Sequence, residues 1–318
     1  MKMRRVISAL TVCALCMVSL CACTRANYAL KVGENSVSKE IYGYYYSVAA
    51  NSDEYKDEED KEKIAAELCA EYISGRLLAA EKGVSLSAEE KVSVSSKTKS
   101  MWQMYSSFYK KYSVTKEALC EVLSYDALTD KLTLTVYGEG GEKEEPTETL
   151  ENYFYSNYAA VKIMSANFKK ENSESFDEAE VEEITKKFTN MRNSVRSGAE
   201  MSSVAEQYID LVDYDDKVKF LRSDDTEYPS GMFEKISEIQ TGSVQVFRYE
   251  RGIYLIQKID MKSSPSEYFD VYKNECLLSL KRDEMKKEIN TIAQNQDCLL
   301  YTSPSPRDRP TSRMPSSA

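Results

Sequence analysis

The stretch SVQVFRYERGIYLIQKID (residues 243–260) decides the fold. Two runs rich in β-branched and aromatic residues, 243–249 and 253–259, flank Glu250, Arg251 and Gly252. Such runs around a short Gly-containing break read as an antiparallel hairpin. In the second run Tyr254 alternates with Ile253 and Leu255, so its ring points to the opposite sheet face from theirs.

Upstream, AAVKIMSANF (159–168) reads as another strand. Ser175-Phe176-Asp177-Glu178 has the form of a capping box, opening a helix with Val181, Ile184, Phe188 and Met191 on one face and a stop near Gly198. EMSSVAEQY (200–208) is a short helix, KVKFLRS (217–223) a strand and SGMFEKISEI (230–239) a short helix. The order β-α-α-β-α-β-β describes an α+β domain over 159–262.

The preceding region, 23–137, reads as mainly helical. A strand at 28–32 turns at Gly33, Glu34 and Asn35, and Ser38 caps a helix with Val37 and Tyr42 placed as a hydrophobic staple. After a charge run at 53–63, Ile64, Leu68, Tyr72 and Ile73 mark a helix ending near Gly83. Ser87-Ala88-Glu89-Glu90 is a capping box for a helix running to Tyr112, and Thr115 opens a further helix to about Val136. YGEGGEKEEPTE (137–148) is the clearest internal break, so 138–158 is a linker with a short Tyr-rich helix. At the far end, Ser264-Pro265-Ser266-Glu267 joins a capping box to a Pro at the first helical position. The helix over 263–297 carries Phe269, Tyr272, Cys276 and Leu280, and is long enough to pack back on the N-terminal helices.

Both ends stand apart from this body. Lys2, Arg4 and Arg5 precede an apolar run at 6–20 that closes on Leu20-Cys21-Ala22-Cys23. This is the order of a signal peptide over 1–22, and its end resembles a bacterial lipobox, which implies diacylation of Cys23 and a lipid anchor on the outer face of the membrane. CLLYTSPSPRD, within residues 298–318, resembles the translation of a transposon-type sequencing adapter. Four of the seven prolines fall in that tail, so it reads as foreign sequence, with a Pro/Ser-rich tail as the alternative.

Bulk properties narrow the chemistry. The 318 residues are 42% hydrophobic and 30% charged, a globular composition. Net charge is −10, and six of the 42 basic residues but one of the 52 acidic residues lie in the two end segments. An acidic body argues against nucleic acid as a partner. There is no histidine, which removes the usual neutral-pH acid–base group and the commonest metal ligand. Cys69, Cys120 and Cys276 have no C-x-x-C spacing, read as reduced buried cysteines on helices, and suggest neither metal nor disulfide framework. Asp213, Asp215 and Asp216 lack the glycine and terminal Glu of a calcium loop. No cofactor motif is present in the sequence.

The layout resembles the SurA/PrsA group of exported foldases over nearly all of 28–297. ALKVGENSVSKEIYGYYY is similar to the group's strand-turn-helix opening, through Val32, Gly33, Val37, Ser38, Lys39 and Glu40. ENYFYSNYAAVKIMSA resembles the lead into the first strand of its parvulin-type prolyl isomerase domain. MSSVAEQY, GMFEKISEIQTGSVQ (with Ile239 and Gly242) and RGIYLIQKID follow in the group's order. The resemblance implies a helical chaperone region, a parvulin-like α+β domain, a closing C-terminal helix, and unfolded or exported polypeptides as partners. It also exposes departures. The positions matching the family's two active-site histidines hold Lys162 and Tyr254, and the Gly-Gly before the middle strand is missing.

Prolyl isomerisation needs no nucleophile or metal. Its barrier of ~18–20 kcal/mol comes from amide double-bond character, and a site lowers it by binding the twisted amide best. Met232, Phe233 and Phe247 are candidates for an apolar proline slot, with plain core packing as the other reading. Chaperone action requires only adaptable apolar surface, and IYGYYY and MWQMYSSFYKKY offer it where they are not interior. The expectation is an anchored folding factor that has lost isomerase activity. The alternatives are an active parvulin-type isomerase and a structural surface lipoprotein on the same fold.

Overall fold

The computed structural model describes residues 28–169 and 175–300, without the side chains of residues 299 and 300. The expected leader 1–22, the candidate lipidation site Cys23 and residues 301–318 lie outside the described residues. In chain order the elements are β1 (Tyr28–Val32), β2 (Asn35–Ser38), α1 (Lys39–Asn51), a 3-10 turn (Asp53–Tyr55), α2 (Lys61–Glu81), α3 (Ala88–Lys111), α4 (Lys116–Tyr137) and α5 (Thr147–Asn157). They continue as β3 (Tyr158–Asn167), α6 (Glu178–Arg196), α7 (Met201–Gln207), β4 (Asp213–Tyr214), β5 (Lys219–Arg222), α8 (Met232–Glu238), β6 (Val244–Tyr249), β7 (Gly252–Lys258), α9 (Phe269–Gln294) and β8 (Cys298–Leu300). The architecture is α+β, as expected. It divides into two compact units: residues up to Lys143 together with those from Leu280, and Glu144–Ser279.

The first unit is mostly helical. β1 and β2 pair antiparallel around Gly33, whose positive φ of 54° makes the tight turn. β2 is too short for its alternation to register in sequence, and Ser38 both ends it and caps α1, accepting from the Ile41 N–H at 3.2 Å. The Ser87–Glu90 capping box forms as read, and Thr115 caps α4. Leu30, Val32, Cys69 and Leu119 are fully buried in the core, joined by Ile41, Tyr72, Val94 and Val122. Cys120 is half-buried rather than buried, while Cys69 and Cys276 are buried as expected. Tyr109 is interior, but Met104 and Tyr105 of MWQMYSSFYKKY are 64% and 52% exposed, so that stretch is not all core.

The C-terminal part of α9 completes this unit. Arg282 donates from Nε and Nη2 to both carboxylate oxygens of Asp130, at 2.8 and 3.0 Å. Asn290 donates to Glu71, and Ala293 enters the core. The segment 263–297 is nevertheless not a closing helix of one allegiance, because residues 269–279 of α9 belong to the second unit, as does α5 from the expected linker. α9 also starts at Phe269 rather than at the Ser264 box: residues 264–268 form irregular turns, with the Asp270 N–H bonding back to Pro265. β8 then pairs with β1, Leu30 opposite Leu300, inside the stretch that reads as adapter. Main-chain pairing uses only N–H and C=O groups, so the open edge of β1 accepts any extended tripeptide there.

The second unit is built on β3. β7 pairs along one edge, and β4 and β5 share the other; β6 extends the sheet beyond β7. One sheet face packs Met164, Ala166, Ile253 and Leu255 against Phe188 and Met191 of α6 and Met201 and Val204 of α7. The capping box of α6 is Asp177 with Glu180, two residues later than the sequence suggested, because Ser175 is engaged in a bridge with Lys169. A separate aromatic cluster joins α5 to the first turns of α9: fully buried Phe154 lies 5.0 Å from Tyr158 and 5.8 Å from Phe269, ring centre to ring centre.

Candidate functional site

The other face of the second unit's sheet holds the candidate site. Residues directly opposite each other in an antiparallel pair share a face. Tyr254 of β7 stands opposite Ser165 of β3 on one side and Phe247 of β6 on the other. Two residues along, Ile163, Ile256 and Gln245 form the next row. Val161, Ile163 and Ile256 form a buried floor with Leu221, Met232 and Ile236, and Tyr228, Phe233, Phe247, Tyr249 and Tyr254 stand half-buried around it.

Of the slot candidates, all three join this cluster, but in different places. Met232 is 1% exposed, which makes it floor rather than wall. Met232 and Phe233 also line a cleft of about 380 Å³ with Tyr228 and Pro229 in the loop before α8. Gly231, with φ of 76°, turns that loop into the helix. Phe247 lines no part of the cleft and sits beside Tyr254 on the sheet instead.

Lys162 is on the wrong side. It stands opposite Gln257, three residues from Tyr254, and therefore shares the α6–α7 face with Met164 and Leu255. Its ammonium is 2.7 Å from Asp216, which also accepts from the Tyr214 hydroxyl at 2.6 Å. These bonds, Lys162 first, hold the Asp216 carboxyl below its ordinary range. Lys162 is thus a rim ion pair, and the structure does not bring it together with Tyr254. On the Tyr254 face the β3 neighbours are Ser165 and Ile163, which the sequence reading passed over.

Tyr249 and Lys235 were also missed. The Tyr249 ring meets Tyr254 edge-on at 5.8 Å, and its buried hydroxyl has no hydrogen-bond partner among the described residues. The Lys235 ammonium stands 4.6 Å above the Tyr249 ring, a cation–π distance. The period-two spacing of Phe247 and Tyr249 was the available signal. Burial raises the hydroxyls of Tyr228, Tyr249 and Tyr254 above the ordinary tyrosine value, so all three remain neutral donors near neutrality. The face is apolar and aromatic, with hydroxyl donors and two lysines at its rim, Lys235 over Tyr249 and Lys258 donating to the Ser237 and Ile239 carbonyls at 2.9 Å. It fits apolar rings and, among the described residues, offers no nucleophile–base pair. Among the described residues no group of His, Cys, Asp or Glu is arranged to hold a metal ion, and no helix is long and apolar enough to cross a membrane.

No family model and no curated protein sequence matches the chain. Among solved structures it is similar to the foldase protein PrsA from Streptococcus pneumoniae str. Canada MDR_19A, at 15% identity and a TM-score of 0.42 over 79% of this chain and 87% of that one. It is similar to the foldase protein PrsA from Lactococcus lactis at 12% identity and a TM-score of 0.41, over 86% of this chain and 95% of that one. For PrsA from Bacillus subtilis the values are 12% and 0.36, over 82% and 88%. Likenesses this distant carry no argument about activity.

Proposed function

We propose that the chain is an extracytoplasmic folding factor, held to the membrane by a lipid on Cys23, that binds unfolded exported polypeptides and has no prolyl isomerase activity. The observation that carries the loss of activity is the placement of Lys162 and Tyr254 on opposite sheet faces, so that these two side chains do not converge on one bound amide. What is left beside Tyr254 is a half-buried aromatic surface, suited to loose contact with apolar segments. The acidic body disfavours acidic clients.

The binding role is tested by light scattering of an unfolding client with and without a stoichiometric amount of the full chain. Scattering is expected to fall, and an unchanged curve rejects the role. The anchor is tested by incorporation of labelled palmitate, expected in the wild type and lost in Cys23→Ser; labelling that survives this substitution rejects Cys23 as the site. A second reading, an active isomerase, is favoured by one observation: Phe233, Phe247 and Tyr254 pack half-buried against one apolar cluster.

A further inference from the structure

We infer that α3 carries an interfacial face that docks on an anionic lipid surface. The argument begins with charge. Residues 91–116 hold Lys91, Lys97, Lys99, Lys110, Lys111 and Lys116 and no Asp or Glu, in a chain whose net charge is −10. None of these lysines forms an ion pair within 4 Å among the described residues; Lys97 is near enough to the Asp126 carboxyl of α4 to act on it, and Lys110 stands 5.9 Å over the Trp102 ring. An acidic protein is repelled by an anionic bilayer as a whole. A local basic strip overrides that at close range, because fields beyond about 10 Å are screened at 0.1 M salt.

Packing gives the second part. Of α3's residues only Val94, Thr98 and Tyr109 are buried. Lys97, Met101, Met104, Phe108 and Lys111 recur at alternating intervals of four and three, which sets them along one stripe of the helix. On that stripe Met104 is 64% exposed and Met101 and Phe108 are half-buried, and Tyr105 beside it is 52% exposed. An apolar, aromatic strip bounded by lysines is the pattern of a helix lying in a membrane interface. The lysine stems can lie along the apolar boundary while their ammonium groups reach the phosphates. A surface for unfolded polypeptides of varied sequence has no need of uniform positive charge, so the lysines favour lipid. This inference does not rest on the proposed folding role or on the anchor.

Trp102 is the chain's single tryptophan and reports on this helix directly. The full chain is mixed with vesicles of phosphatidylglycerol and phosphatidylcholine in equal parts, or of phosphatidylcholine alone. Any contribution of the leader is common to wild type and variants. Trp102 emission is expected to shift to the blue on the anionic vesicles only, and to return as salt is raised. Lys97→Glu/Lys111→Glu is expected to weaken binding at least about tenfold. Met104→Ser is expected to weaken it while keeping the salt dependence, with far-UV circular dichroism unchanged because these positions are exposed. An unmoved Trp102 emission on anionic vesicles, or a double variant that binds like wild type, overturns the inference. So does loss of unfolded-polypeptide binding in these variants with vesicle binding intact, which would make the face a client surface.

Discussion

Lys162 and Tyr254 occupy neighbouring strands of one sheet yet face opposite sides of it: Lys162 pairs with Gln257, and Tyr254 pairs with Ser165. Placing histidine at the two positions singled out by resemblance therefore does not assemble a paired site. Tyr254→His and Lys162→His/Tyr254→His are expected to leave the cis/trans relaxation of a proline peptide at its uncatalysed rate. An acceleration by Tyr254→His alone would show that one imidazole suffices. Ser165→His/Tyr254→His is the pair that sets two imidazoles side by side, since directly opposed residues lie about 4.5–5.5 Å apart at Cα.

The α6 cap separates two boxes that overlap in sequence. Asp177 accepts from the Glu180 N–H at 2.9 Å, and Glu180 bonds back to the Asp177 N–H at 2.8 Å. Asp177→Ala should cost about 1 kcal/mol in urea unfolding. Ser175→Ala should cost a few tenths of that at most, because surface changes away from caps and cores lie within about 0.5 kcal/mol. The reverse order would restore the earlier box.

Gly43 lets α1 pass close to the turn after α3. A Cβ there would run into the Tyr112 carbonyl, a backbone group that cannot rotate away. Helix propensity alone would make Gly43→Ala stabilising by about 1 kcal/mol. Overpacking costs about 1–3 kcal/mol and more when backbone must shift, so a net loss of about 2 kcal/mol is expected in denaturant melts. A gain in stability would mean that the two segments are not in contact.

Glu71 gives a pH signature. Burial raises its carboxyl above the ordinary 4.5, against the opposing effects of the Asn290 hydrogen bond and Lys286. A carboxyl whose pKa is higher folded than unfolded contributes stability below the unfolded value and loses it as pH rises through the folded one. Glu71→Gln keeps an acceptor for Asn290 and removes the charge. It should match wild type below pH 4.5 and become progressively more stable than wild type as pH rises above it. Thermal melts across that range check the sign, and a growing deficit in the variant would refute it.

What sequence could reveal here was what local periodicity and capping encode. The Ser87–Glu90 box, the Thr115 cap and the 243–260 hairpin each depend on residues within one turn or one strand pair, and each formed where expected. The outward turn of Tyr254 from Ile253 and Leu255 was equally local. The face of Lys162 was not. β3 is buried on both sides along most of its length, so its residues show no alternation of apolar and polar, and the face of each is set by register with β7. The same limit hid β4, two residues long, and the split of α9 between units, which depends on distant partners such as Asp130 and Phe154. Ser175 looked as good a cap as Asp177 until its bridge to Lys169 claimed it.

The central claim, a polypeptide-binding factor whose sheet face no longer isomerises prolyl bonds, meets its most direct test in magnetisation exchange between the cis and trans forms of a proline peptide, measured with the full chain present. The account predicts line broadening of the peptide on binding with an exchange rate equal to that of free peptide. An exchange rate that rises in proportion to added chain, and falls when Tyr254 or Phe247 is replaced by Ala, would contradict it.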